Sequence, residues 1–397
     1  MKKQIILYGA FDRYNYGDNL MPIIFHMYIE KYYPDLLNDY QMTYCSIGES
    51  DLSKYDCYKT LKIKNVLDNA PDASLLVIIG GEVLCASNLT LLLHMQNSQF
   101  THKLVKTAKF FLRRYLTVIT QKVYGTAWEY PYIPPKNAFK NNIMIAYNTV
   151  GGGVSGLSQA AQNDVVARLN SANYVSVRDK RTEKNLKDKV KVELFPDSVF
   201  LISDIISSDF LTGKVNNELK SATSSAYFCF QASPHKIGAN KESVVNSLRK
   251  LAAGRNEKII LLPIGYASGH DDIHYLETIA QEMGGEAIVL KDLSVWEIMY
   301  VIKNAKLFIG TSLHGIITAM AFNVAHFGLN PDISKVDSFL KDWSIEPFNK
   351  SLELEQISIA AQQDFSYCQY QLQENSYRIA QLVKQNNANI LNLCNKT

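Results

Sequence analysis

Short apolar runs about as long as a strand alternate along this chain with stretches whose apolar residues recur every three or four positions, a pattern that predicts an α/β protein. Residues 4–8 (QIILY) read as the first strand. The polar stretch GAFDRYNYGDNLMP follows, and then a helical pattern through Phe25, Tyr28, Ile29 and Tyr32. Leu75–Ile79 (LLVII) is uninterrupted aliphatic sequence, which needs burial on both faces and so points to a parallel sheet. Residues 143–148 (IMIAYN), Tyr174–Val177 and 192–195 continue the series. The polar run 203–225 reads as a linker. Beyond it a second series begins, with strands at Tyr227–Gln231 (YFCFQ), 258–262 (KIILL), 287–290 and 307–309. Ser294 and Glu297 form the capping box of a helix that leads to the last of these. Two consecutive series predict two similar half-molecules facing a cleft, at 1–205 and 206–345. Residues 346–397 read as helices, with Leu372, Ile379, Leu382 and Val383 on one side.

Open α/β sheets bind ligands outside the carboxyl ends of their strands, and it is there that polar residues and glycines gather. After the first strand the candidates are Asn15, Gly17, Asp18 and Asn19, with Asp18 or Asn19 equally able to serve as a helix N-cap. LLVII ends in Gly80-Gly81-Glu82, where the glycines permit close backbone approach to a ligand or serve turn geometry alone. Residues 143–148 end at Asn148, shortly before Gly151-Gly152-Gly153, and Tyr174–Val177 ends in Arg178-Asp179, a pair that in isolation reads as a local ion pair. In the second half, YFCFQ leads to His235 and Lys236, and KIILL to Gly265. The stretch 306–331, KLFIGTSLHGIITAMAFNVAHFGLNP, is the most informative: a buried strand, a turn with Thr311 and Ser312, and a helix spaced to pack on a sheet. His314 falls at that helix's N-terminus. Unpaired N–H groups and the positive end of the dipole favour phosphate or carboxylate there, and Gly315 lets an anion approach closely. A histidine in that place also serves simply as a cap.

Composition narrows the classes. With 397 residues, 47% apolar and 20% charged, the chain is that of a folded two-domain protein, and a formal net charge of +3 gives no case for nucleic acid. Cys45, Cys57, Cys85, Cys229, Cys368 and Cys394 lack CxxC spacing, which argues against zinc and a disulfide framework and for the cytoplasm. The apolar run after the first lysines is cut by Gly9 and Asp12 and is no signal peptide, and no stretch is long enough to span a membrane. Residues 101–125 are anomalous: Lys103, Lys106, Lys109, Arg113, Arg114 and Lys122, unopposed by acids, interleave with Phe110, Phe111, Tyr115 and Ile119. On general grounds such a segment is first an ordinary amphipathic helix packing Phe111, Tyr115 and Ile119 on its own domain, and as a hypothesis it suits the cytoplasmic face of an anionic membrane. WEYPYIPPKNAF, residues 128–139, reads as a long loop shaping an acceptor groove. Asp271-Asp272 reads as a helix start rather than a metal-binding dyad.

Taken together, YNYGDNLMP, LLVIIGGEVL, IAYNTVGGG, YVSVRDKRT, ELFPDSVF and GTSLHGIITAMAF resemble, in order and spacing, the polysaccharide pyruvyl transferase family over roughly residues 5 to 330. The resemblance implies two Rossmann-like domains facing a cleft, the glycosyltransferase-B arrangement. It also implies transfer of the enolpyruvyl unit of phosphoenolpyruvate onto two hydroxyls of a sugar, free or lipid-linked, as a cyclic ketal. By the resemblance, the family's histidine matches His314, its arginine and aspartate match Arg178 and Asp179, and its early Gly-Asp matches Gly17 and Asp18. Its glycine-rich strand end matches Gly80 and Gly81, and its Pro-Asp matches Pro196 and Asp197. Two departures stand out: Ser312 replaces an arginine found in many members, so a donor-neutralising cation must come from elsewhere, and Glu82 replaces a third glycine. The residue types fit the chemistry. His314 is cast as proton donor or phosphate ligand, Arg178 as anion clamp and Asp18 or Glu82 as acceptor base. Thr311, Ser312, Gly315, His235, Lys236 and Gly265 fall on the donor side, and Asn15, Gly17, Asn19, Gly80, Gly81, Glu82 and Asn148 on the acceptor side. The scheme needs neither cofactor nor metal, phosphoenolpyruvate being a co-substrate. The rival readings are a nucleotide-sugar-dependent glycosyltransferase on the same frame, and a non-catalytic sugar-binding subunit of an envelope assembly complex.

Overall fold

The aliphatic runs become central strands of two parallel sheets. The computed structural model describes residues 2–94, 119–126, 128–253, 256–266 and 272–396. The first sheet holds β1 (Lys3–Tyr8), β2 (Tyr40–Ser46), β3 (Leu61–Lys62), β4 (Leu75–Ile79), β5 (Met144–Val150), β6 (Tyr174–Val177) and β7 (Glu193–Leu194), in the order β3-β2-β1-β4-β5-β6-β7. The second holds β8 (Tyr227–Gln231), β9 (Lys258–Leu261), β10 (Ala287–Val289), β11 (Leu307–Gly310), β12 (Ala325–Leu329) and β13 (Ser351–Leu352), in the order β10-β9-β8-β11-β12-β13. Both are doubly wound: the order reverses between β1 and β4 in one and between β8 and β11 in the other. Each reversal leaves a crevice at the strands' carboxyl ends. The strands β2, β3, β12 and β13 lie outside the elements expected from sequence. In β2 and β12 tyrosines, a histidine and a glycine break up the aliphatic signal, although both strands lie between neighbours in their sheets.

The halves are joined by apolar packing. On the helix Tyr16–Tyr32, Leu20, Ile24 and Phe25 are buried in a cluster that also takes in Phe200 and Leu201 of the turn Ser198–Leu201, and Ile316, Ile317 and Met320 of the helix Leu313–Ala321. The expected linker is folded rather than extended. Its helices Ser208–Gly213 and Asn217–Ala222 are anchored by Leu211 and Leu219, which are buried in that cluster. Because β13 pairs with β12, the second sheet extends past the expected boundary at 345. The loop 128–139 is also more buried than expected: Trp128, Tyr130, Tyr132, Ile133 and Phe139 sit in the first domain's core, since aromatic rings of that size gain most by leaving water. Of the cationic stretch 101–125, residues 101–118 lie outside the described residues, as does Asp271. Asp272 does begin the helix Asp272–Met283. Among the described residues no helix is long and apolar enough to cross a membrane.

The helix Gln369–Leu391 returns to the first domain and packs on β5. Asn148 keeps its register with Ile79 of β4 but lies in a break of the β5–β6 register between Tyr147 and Val150, and Thr149 takes a positive φ of 47°. Asn148 Oδ1 then accepts from Asn386 Nδ2 at 2.7 Å, and Asn148 Nδ2 donates to Asn387 Oδ1 at 3.3 Å. Tyr174 Oη donates to Asn386 Oδ1 at 2.9 Å. These amides are buried, so removing one strands its partners. Asn386→Leu should lower stability by about 1–3 kcal/mol in urea unfolding, whereas a surface change would be near neutral. A loss below about 0.5 kcal/mol would show that the contact is not what ties the helix down.

Candidate active site

The two crevices face one another, and their loops enclose a cavity of about 310 Å³. The loop after β1 contributes Ala10, Arg13, Asn15 and Asp18, and the loop after β4 contributes Gly80, Gly81 and Glu82. From the second sheet come Lys236 after β8, and Ser312, Leu313 and His314 after β11. Arg178 enters from the end of β6 and Lys335 from the helix Ser334–Trp343.

Two glycines shape the walls. Gly17 lies against the His314 imidazole so closely that a Cβ added there would sit 1.8 Å from Nδ1. Gly81 has φ +30° and would bring a Cβ to 3.3 Å from the Asp18 carboxylate. Gly17→Ala therefore pushes the ring off its seat. We expect a loss of about 10²-fold in turnover with the fold kept, because a displacement of about 1 Å at a reacting group costs that much. Unchanged turnover would mean the ring position does not matter.

Arg178 is fully buried in a carboxylate cluster. Its Nη1 donates to Asp197 Oδ2 at 3.1 Å and its Nη2 to Glu82 Oε1 at 3.2 Å, while Asp179 Oδ2 lies 3.9 Å from Nε. The same Asp197 Oδ2 lies 3.7 Å from His314 Nε2, beyond hydrogen-bond reach but close enough for charge attraction. Asp197 Oδ1 meanwhile accepts from the Val199 N–H at 3.1 Å. Burial pushes the Asp197 carboxyl up, but His314 and Arg178 more than reverse this and hold it below the usual carboxylate range. Glu82 behaves alike: burial raises it, and Arg178, Arg181 and Lys335 bring it lower, with Arg181 Nη2 donating to Oε1 at 2.7 Å. Asp179 caps the helix Lys180–Leu186, accepting from the Thr182 N–H at 2.7 Å. Buried atoms without a hydrogen bond cluster here, among them His314 Nε2, Arg178 Nε and Asp179 Oδ2. Buried polar groups are ordinarily paired, and of these three His314 and Arg178 line the cavity.

Of the residues singled out from sequence, His314, Arg178, Asp18, Asn15, Gly80, Gly81, Glu82, Ser312 and Lys236 share the cavity. Others do not line it. His235 is exposed, on a turn that directs Lys236 inward instead. Thr311 is buried behind the wall, accepting from the Ser233 N–H at 3.1 Å and bonded to Gln231. Gly265 donates its N–H to Asp272 at 3.0 Å and bridges to Asn15, and Asn19 braces the first loop by donating to the Phe11 carbonyl. Asn148 is taken up by the C-terminal helix. Gly315 offers no approach to an anion: its N–H donates to Ser312 Oγ at 3.3 Å, and its Cα faces Phe308, 2.5 Å from where a Cβ would be.

Sequence reasoning gave no role to Arg13 or Lys335, and it named Asp197 only as the match to the family's Pro-Asp. Its partners, Arg178 and His314, are distant in sequence, so the local Pro-Asp pattern does not reveal them. Lys335 did leave a signal, because a lysine in the first turn of a helix opposes the helix dipole. Burial first, then Lys236 and Arg178, push its ammonium down to about 8 against the pull of Glu82 and Asp18. Burial likewise lowers Lys236, against Asp272 and Asp18.

Two Rossmann-like domains with a charged cavity between their switch points define the glycosyltransferase-B class of architecture. The profile of the family described as Polysaccharide pyruvyl transferase matches residues 15–333, and the chain belongs to that family. It is thus a pyruvyl transferase acting on polysaccharide. Among solved structures, UDP-GlcNAc 2-epimerase from Neisseria meningitidis bound to UDP-GlcNAc is similar with a TM-score of 0.53 at 9% identity, over 100% of each chain. UDP-GlcNAc 2-epimerase from Methanocaldococcus jannaschii is similar with a TM-score of 0.50 at 13% identity, over 90% of this chain and 91% of that one. At such identities the likeness is one of fold. No curated protein matches the chain in sequence.

Proposed function

We propose that the enzyme transfers the enolpyruvyl carbons of phosphoenolpyruvate onto two hydroxyls of one sugar in a cell-surface polysaccharide or its lipid-linked precursor, forming a pyruvate ketal and releasing phosphate. One observation carries this reading: Arg178 and His314 converge on one oxygen of Asp197, in the wall of one small cavity. A volume near 310 Å³ is at the low end of the roughly 300–1,000 Å³ of small-molecule sites, and it suits a compact donor better than a nucleotide sugar. His314 delivers a proton to the methylene carbon, which becomes a methyl group. The cation developing at the adjacent carbon is attacked by the first sugar oxygen. The C–O bond to phosphate then breaks, and the second sugar oxygen closes the ketal. Of the two acceptor hydrogens, one replaces the proton given by His314 and the other leaves with phosphate. Asp18 is the better acceptor base, because Glu82 is held between two guanidinium groups and below its usual range.

The test is release of phosphate from phosphoenolpyruvate across a panel of free and lipid-linked sugars, with mass spectrometry of the product. The expected product is an acceptor heavier by one pyruvate less one water. Release of UDP from a UDP-sugar, with no phosphate from phosphoenolpyruvate, would overturn the assignment. Attachment to an anionic membrane belongs to the same reading. Ile119 and Val123 are exposed, Lys62 Nζ donates to the Val123 carbonyl at 2.7 Å, and the cationic sequence 101–118 directly precedes them in the chain. Ile119→Asp/Val123→Asp should reduce co-sedimentation with phosphatidylglycerol vesicles by at least about threefold and leave neutral vesicles unaffected. Equal sedimentation of variant and wild type would remove the membrane from the picture.

A further inference from the structure

Three cations that line the cavity, Arg13, Lys236 and Lys335, are not used by the steps above. Arg178 is opposed by Asp197, Glu82 and Asp179, so it brings little net positive charge to a ligand. Arg13 is paired with Asp12 at 3.1 Å. Lys335 differs: it lines the cavity, and among the described residues no carboxylate lies within ion-pairing distance of it. It shares the cavity with Lys236, whose charge acts on it, and it lies at the start of a helix whose N-cap residue, Ile333, supplies no side-chain acceptor. Burial, a neighbouring ammonium and the positive helix end all disfavour its charge in the protein alone. All three become favourable when a dianion lies against them, since each then faces opposite charge in a place of low dielectric. The other end of the helix is fixed, with Trp343 Nε1 donating to the Arg178 carbonyl at 2.8 Å, so the ammonium is held by a rigid element linked to the rest of the site.

We propose that Lys335, acting with Lys236, binds the phosphate group of the donor, leaving Arg178 to orient the donor carboxylate. This rests on the pyruvyl-transfer reading and names the groups that hold each end of its donor. The Lys335 ammonium offers three rotatable N–H donors, which suits a tetrahedral dianion, whereas a guanidinium already bound to two carboxylates suits a single planar carboxylate. Lys335 takes the place of the cation that Ser312 does not supply, and it stabilises the phosphate as it leaves.

The experiment is calorimetric binding of phosphoenolpyruvate, inorganic phosphate and oxalate to the full-length wild type, Lys335→Met and Lys335→Arg. Lys335→Met should weaken phosphoenolpyruvate and phosphate by between about tenfold and a hundredfold, the worth of a charge-assisted hydrogen bond. Oxalate, which has carboxylates and no phosphate, should bind within about twofold of wild type. Lys335→Arg keeps the charge and should recover most of the phosphate affinity. The melting temperature of Lys335→Met should be no lower than that of wild type, because a disfavoured charge has been removed; this separates lost binding from lost fold. Equal phosphoenolpyruvate affinity in wild type and Lys335→Met would overturn the inference, as would an equal loss of oxalate and phosphate. A wild type that binds none of the three ligands would instead remove the donor itself, and with it the pyruvyl-transfer reading.

Discussion

Replacing His314 with alanine should lower the turnover of acceptor-dependent phosphate release by between about 10² and 10⁴-fold, the usual worth of a positioned general acid. The effect should appear in kcat at saturating phosphoenolpyruvate more than in KM. Protonation of the methylene carbon belongs to the transition state, and a group that acts only there is lost from kcat and kcat/KM alike. The geometry makes His314 the candidate for that step. Its ring is fixed on one side by the bare backbone of Gly17, and its Nε2 is buried and unpaired except for the charge of Asp197 at 3.7 Å. His314→Gln keeps a hydrogen-bonding side chain but has no titratable proton, and it should be nearly as poor as alanine if proton delivery is the role. Recovery of most of the rate by glutamine would reassign His314 to simple binding, and retention of kcat within about threefold in both variants would remove it from the chemistry.

Much of this site was legible in the sequence because its parts are local. A strand end, a turn and a helix start announce themselves within a few residues, and GTSLHG, IGGE and YNYGD do so with residue types that suit anions and close backbone approach. Legibility failed where a residue's role depends on what folds against it. Asn148 and Arg178 both read as strand ends, yet β5 runs on to Val150 and Asn148 meets the C-terminal helix at a break in the β5–β6 register, while Arg178 lines the cavity. His235 and Lys236 are adjacent, and the turn they share sends one outward and the other inward. Gly315 illustrates a different limit. The sequence says that space is needed there, and only the packed structure says that Phe308 rather than a ligand needs it. The same holds for whole elements: LLVII was unmistakable, whereas β12, with alanine, histidine and glycine among its five residues, is a strand only because β11 and β13 flank it.

Arg178 supports the fold as well as the chemistry, and Arg178→Met should cost about 3–5 kcal/mol of stability at pH 7, the usual result of removing one member of a buried charge cluster. Asp197 and Asp179 are almost wholly buried, and without the guanidinium their charges face one another and Glu82 with His314, Arg181 and Lys335 left to oppose them. Lysine is not a remedy, since one ammonium on a flexible stem does not reach Asp197 and Glu82 with the fixed fork of an arginine. The loss should also depend on pH, in a direction the carboxyl shifts dictate. In the wild type Asp197 and Glu82 are held below their unfolded values of about 4, so their contribution is complete above about pH 5 and is lost as the pH falls through the folded values. In the variant burial acts with less opposition and the folded values rise. Acidification then neutralises charges that the fold bears badly, and the variant gains on the wild type. Urea midpoints measured at pH 7 and pH 4.5 should therefore differ widely at the first and converge toward the second. A gap that is constant or widens on acidification would mean that methionine fails by packing, and that the carboxylates around Arg178 do not depend on its charge.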